Sequence, residues 1–87
     1  MLIEPTTAAV AKSVQLKAFQ SISVRGSLST DVIAIEIPDG AGGWKSLTED
    51  GNLITLTSSN EQITASGNTL IRVNKPTTTN AVGVAIL

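Results

Sequence analysis

The chain has no cysteine, no histidine and no tyrosine, and its only aromatic residues are Phe19 and Trp44. Each absence excludes a class of chemistry. Without cysteine there is neither a disulfide staple nor a thiolate metal site. Without histidine, the imidazole on which most acid–base catalysis and nucleophilic triads depend near neutral pH is missing. Carboxylates, lysines and hydroxyls remain, in only 87 residues with little room for a deep pocket. A non-enzymatic protein without metal or cofactor is therefore expected.

Long apolar runs are also missing. No stretch approaches the roughly 18 apolar residues that cross a bilayer. Ala9-Val10-Ala11 has the small-x-small form of a cleavage site, but Glu4, Pro5, Thr6 and Thr7 stand where its apolar run would lie. The expectation is a soluble, unprocessed protein with no membrane partner. Charge is sparse and nearly balanced, 6 basic against 7 acidic residues for a net −1. Lys12, Lys17 and Arg25 stand against Glu4 in the first 30 residues. Asp31, Glu36, Asp39, Glu49, Asp50 and Glu61 then stand against Lys45 alone, and Arg72 and Lys75 close the series. Phosphate neutralisation needs a concentrated basic surface, usually with stacking aromatics, so no nucleic-acid partner is expected.

What the chain does have is a strand-and-turn cadence. Trp44–Leu47, Leu53–Thr57, Ile63–Ala65, Leu70–Val73 and Ala81–Leu87 are short β-rich runs, divided by clusters of Gly, Asn, Asp, Ser and Pro. Such spacing marks a small sandwich or barrel. In the first half, Val14, Leu16 and Ala18 alternate with polar residues, and the phase slips at Phe19-Gln20 before Ile22 and Val24 resume it. A bulge or a tight corner produces that slip. Ile33, Ile35 and Ile37 share one face of the strongest strand. Pro38–Gly43 and Glu49-Asp50-Gly51-Asn52 read as hairpin connections. Neither Gly40-Ala41-Gly42-Gly43 nor Gly43-Trp44-Lys45-Ser46 has the spacing of a nucleotide-binding loop.

These runs predict an all-β fold: a small antiparallel β-sandwich of seven or eight strands, jelly-roll-like, over residues 13–87. Residues 1–12 have no clear period and read as an N-terminal arm, with Leu2, Ile3 and Val10 as its candidate partner-binding anchors. Trp44 is expected to plug the core because of the area it buries; the alternative is an interface anchor, which makes it the fourth candidate partner-binding residue. Adjacent Glu49 and Asp50 read as solvated turn charges. Glu36 with Asp31 or Asp39 is the only carboxylate pairing to weigh for glycoside hydrolysis, which needs two such groups about 5–10 Å apart.

Serine and threonine supply 20 residues against 13 charged ones, a weak defence for sheet edges. The near-continuous apolar segment Ala81–Leu87 must be covered on both faces, by the domain's own second sheet alone or with another chain in addition. Both features point to life inside an assembly, and a homo-oligomer is expected.

The stretch Gly43-Trp44-Lys45-Ser46-Leu47-Thr48-Glu49-Asp50-Gly51, followed by Ile54–Thr57, Gly67, Leu70-Ile71-Arg72-Val73-Asn74-Lys75 and Val82-Gly83-Val84, resembles small virion proteins of tailed bacteriophages. The resemblance covers residues 31–87. It implies a structural protein that decorates or cements the capsid shell by bridging subunits of the major capsid protein. Its location would be the capsid surface of the virion, after assembly in the host cytoplasm. It brings no catalytic residue with it. The alternative is a head-fibre or tail-tip component that binds a receptor or glycan.

Overall fold

A computed structural model describes residues 1–87 and consists of strands and turns. No helix is long and apolar enough to cross a membrane. The strands are β1 (Ile3–Thr6), β2 (Val10–Leu16), β3 (Ser21–Arg25), β4 (Ile33–Pro38), β5 (Trp44–Ser46), β6 (Thr48–Glu49), β7 (Asn52–Leu53), β8 (Thr55–Leu56), β9 (Gln62–Thr64), β10 (Thr69–Lys75) and β11 (Val82–Ile86). One sheet, A, has the order β1-β11-β3-β9. The other, B, has the order β2-β10-β4-β5, with β8 also paired to β4. All pairings are antiparallel, and β6 and β7 form a separate small hairpin. The chain alternates between the sheets from β1 to β4 and again from β8 to β11, which wraps one sheet over the other.

The alternation read from the sequence sets what lies between the sheets. Ile33 and Ile35 from β4, Ile71 and Val73 from β10 and Leu16 from β2 meet Ile22 and Val24 from β3 and Val82 and Val84 from β11. Each such side chain contributes about 1.5–3 kcal/mol when fully buried. The phase slip at Phe19 is a tight corner that carries the chain from sheet B to sheet A. Gln20 N–H donates to the Lys17 carbonyl at 3.0 Å, and Phe19 stands at φ 65°. At the β6–β7 turn, Asp50 and Gly51 both have positive φ, 52° and 80°. That is the two-residue hairpin geometry that an Asp-Gly pair favours. In the β4–β5 loop, Asp39 Oδ1 accepts the N–H groups of Ala41 and Gly43 at 2.7 and 3.0 Å. These donors hold its carboxyl below the ordinary carboxylate range.

Two expectations are corrected. Residues 1–12 do not project as an arm. Ile3–Thr6 is the outermost strand of sheet A, paired with β11, and Val10–Lys12 opens β2 in register with Lys75–Val73. The reason is that β11 lies inside sheet A and needs a partner on its far side. Ile3 fills core space there and is 1% exposed. The apolar segment at the C-terminus does not require a second chain either. Val82 and Val84 face the core, while outward-facing Gly83 and Ala85 are too small to leave much apolar surface, and both are buried.

Candidate interaction surface

The outer face of sheet B carries the most organised group of polar and aromatic side chains. Along β4 the strand period puts Glu36 and Pro38 on the face opposite Ile33 and Ile35. Register then places Arg72 of β10 and Ser46 of β5 beside Glu36, and Trp44 beside Pro38. Arg72 Nε donates to Glu36 Oε1 at 2.8 Å. The Arg72 guanidinium carbon also lies 5.1 Å from the centre of the Trp44 ring. The cation is thus gripped by a carboxylate on one side and an indole face on the other. At a part-exposed position the cation–π contact contributes about 0.5–1 kcal/mol, and the ion pair a similar amount. The arrangement holds Trp44 stiff and half-exposed at the edge strand of the sheet.

Trp44 is therefore not the core plug. β5 lies at the end of sheet B, and its pairing to Pro38 turns the indole outward, while the interior is filled by Ile, Leu and Val. Of the other candidate anchors, Ile3 belongs to the core, and Leu2 and Val10 pack against it, half-buried. These three lie at the starts of β1 and β2, the edge strands farthest from β5 in the sheet order. The four candidate residues do not form one patch. The carboxylates weighed for hydrolysis are separately engaged: Glu36 by Arg72, Asp31 by the Thr79 N–H at 2.9 Å, and Asp39 by its own loop. No group of three or more acidic side chains converges on a point.

One polar site went unrecognised in the sequence. Lys75 is completely buried at the end of β10. Its Nζ donates to the Ala8 carbonyl at 2.6 Å and to the Pro76 carbonyl at 3.3 Å. Beside it Thr78 is buried too, with its N–H on the Thr7 carbonyl and its hydroxyl on the Asn80 carbonyl at 2.7 Å. The loop 76–80 is thereby sewn to the β1–β2 connection. The signal was available: Lys75 continues the inward series Ile71, Val73 at the strand period of two.

Burial lowers the Lys75 pKa from 10.5, opposed in part by the Asp31 charge. Between the lowered folded value and 10.5 the unfolded chain holds a proton that the folded chain does not. Stability contributed by this group therefore rises as pH climbs through that window. With no tyrosine or cysteine titrating nearby, urea midpoints should rise toward pH 10 in the wild type relative to Lys75→Met. Parallel pH profiles for the two proteins would contradict the assignment.

Comparison with protein-family models, with curated proteins and with solved structures gave no match to this chain.

Proposed function

We propose that this protein is a non-enzymatic virion component of a tailed bacteriophage that decorates or cements the capsid by bridging major capsid protein subunits. The observation that carries the reading is the strand order. Leaving aside β8 and the β6–β7 hairpin, β1-β11-β3-β9 facing β2-β10-β4-β5 is the winding of a jelly roll. That two-sheet architecture recurs in viral capsid and lectin domains. Fold alone does not fix function, so the surface has to supply the contact. We assign it to the outer face of sheet B, where Trp44 is braced by Arg72 and Glu36. Tryptophan and arginine are the residues most enriched at binding hot spots. Strand addition at β1 is a poorer mode, because that edge strand is short and bulged. Shell symmetry repeats each contact, so modest affinity per copy sums to firm attachment by avidity.

Sedimentation of the purified protein with undecorated capsid shells tests the proposal. The expected result is saturable pelleting at a fixed ratio to shell subunits. Trp44→Ala should weaken it by at least about 30-fold and lower the thermal midpoint by only about 2–8 °C, the loss of the Arg72 cation–π contact, since Trp44 lies outside the core. If the protein ignores shells but binds bacterial surface glycans through the same Trp44, a receptor-binding fibre or tail role replaces this one.

A further inference from the structure

The sandwich is open at one end. A cavity of about 390 Å³ lies between the sheets, floored by Leu16, Ile35 and Ile71 and walled by Ile63, Leu47 and Ile54. An apolar cavity of about 150 Å³ already accepts a benzene ring, so this one has room for an aromatic side chain. Ala65 and Glu49 stand among the residues at its lining.

The only phenylalanine in the chain sits beside the mouth. Phe19 N–H donates to the Ala65 carbonyl at 2.7 Å, and Ala65 N–H returns to the Gln20 carbonyl at 2.9 Å. Ala18 N–H is bound by Asn68 Oδ1 at 3.2 Å. The corner is thus fastened to the cavity rim by three hydrogen bonds. They hold Phe19 at φ 65°, a region bulky residues rarely enter, with the side chain 81% exposed. Scattered surface hydrophobics need no explanation. A strained and exposed aromatic beside an apolar cavity is a different matter, since strain of this kind persists where it serves a function.

Charge indicates the occupant. Between Pro5 and Thr30 the chain carries Lys12, Lys17 and Arg25 and no acid, and Lys17 lies in the Phe19 corner itself. Between Ser46 and Ile71 it carries Glu49, Asp50 and Glu61 and no base. Of these, Lys17 beside Phe19 and Glu49 in the cavity lining stand at the mouth, which thus presents one cation next to the aromatic and one anion next to the hollow. A surface with both halves of a complementary pair is what a two-fold interface uses, because each copy offers to the other what it receives. Neither Lys17 nor Glu49 has an ion-pair partner within its own chain.

We propose that the cavity is the docking site for a second copy of this chain, with Phe19 of each copy seated in the cavity of the other and Lys17 of each facing Glu49 of the other. Two seated rings, at about 150–250 Å² each, plus the rims fall below the roughly 1,200 Å² of a standard interface. The dimer is therefore weak and reversible, with a dissociation constant between about 10 μM and 1 mM. The inference does not depend on the virion reading, because it concerns two free copies with no shell present.

Sedimentation velocity of the full chain from about 1 μM to 1 mM tests it, and failure there leaves the shell-binding experiment untouched. The wild type should pass from monomer to dimer across this range. Phe19→Gly removes the ring and relieves the positive φ, so the variant should fold at least as firmly. Its dimer should be weakened by at least about 100-fold. Lys17→Glu and Glu49→Lys should each weaken the dimer about threefold or more, and the double exchange should recover it. A wild type monomeric at every concentration overturns the proposal, as does undiminished dimerisation of Phe19→Gly. Failure of the double exchange to recover the dimer overturns the two-fold arrangement.

Discussion

Lys75→Ala should destabilise the domain by about 3–5 kcal/mol, the combined cost of a cavity and of two lost hydrogen bonds from a charged donor. Lys75 is among the largest completely buried side chains, and its four-carbon stem packs where a Leu or Met would otherwise lie. Its ammonium is the donor for the Ala8 and Pro76 carbonyls. Total stability for a domain of this size is about 5–15 kcal/mol, so the loss is a large share of it. Lys75→Met separates the two contributions. It keeps the volume, and the carbonyls it orphans are offset by removing a costly buried charge, so it should stay within about 2 kcal/mol of the wild type. Urea titrations followed by Trp44 fluorescence measure both. A Lys75→Ala variant within about 1 kcal/mol of the wild type would mean that water reaches the site and replaces the ammonium.

Lys75 also marks the limit of what the residue pattern disclosed. Where side-chain chemistry agreed with strand period, the pattern was sufficient. Ile33 and Ile35 face the core as alternation required, Asp50-Gly51 makes its hairpin, and the slip at Phe19 is a corner. Where the two signals disagreed, chemistry misled. Lys75 has the phase of a core residue and the composition of a surface one, and the carbonyls that tolerate it come from Ala8, 67 positions away. Trp44 has the composition of a core residue, but its phase relative to Pro38 is set by a loop whose length alone does not fix the register. Residues 1–12 lacked a period because β1 is irregular: Ile3 pairs with Val84 and Thr6 with Val82, so three steps on one strand meet two on the other. The cavity and the Phe19 corner converge through hydrogen bonds between residues 18–20 and 65–68, long-range contacts with no local mark in the sequence.

That irregularity in β1 leads to the second large effect, at Gly83. The extra residue bulges β1 opposite Gly83, which admits Pro5 to a strand because no ladder donor is needed at a bulge. It also brings the β1 backbone unusually close. A Cβ on residue 83 would lie 2.5 Å from the Ile3 carbonyl oxygen and 2.8 Å from Pro5 N. Both are main-chain atoms, and the proline ring cannot swing aside. Gly83→Ala should therefore push β1 off β11, withdraw Ile3 from the core and break the Leu2 N–H bond to the Val84 carbonyl. At about 1.5–3 kcal/mol for the isoleucine and about 1 kcal/mol for the hydrogen bond, the cost is about 2.5–4 kcal/mol. It would also bare the β11 edge to pairing with other chains, so aggregation on heating should increase. A double-mutant cycle with deletion of residues 1–6 locates the effect. If the collision with β1 is the whole cause, Gly83→Ala costs almost nothing once β1 is gone. If the two losses add, the demand for glycine arises within β11 itself, and β1 is an accessory strand whose contribution to stability is confined to its own contacts.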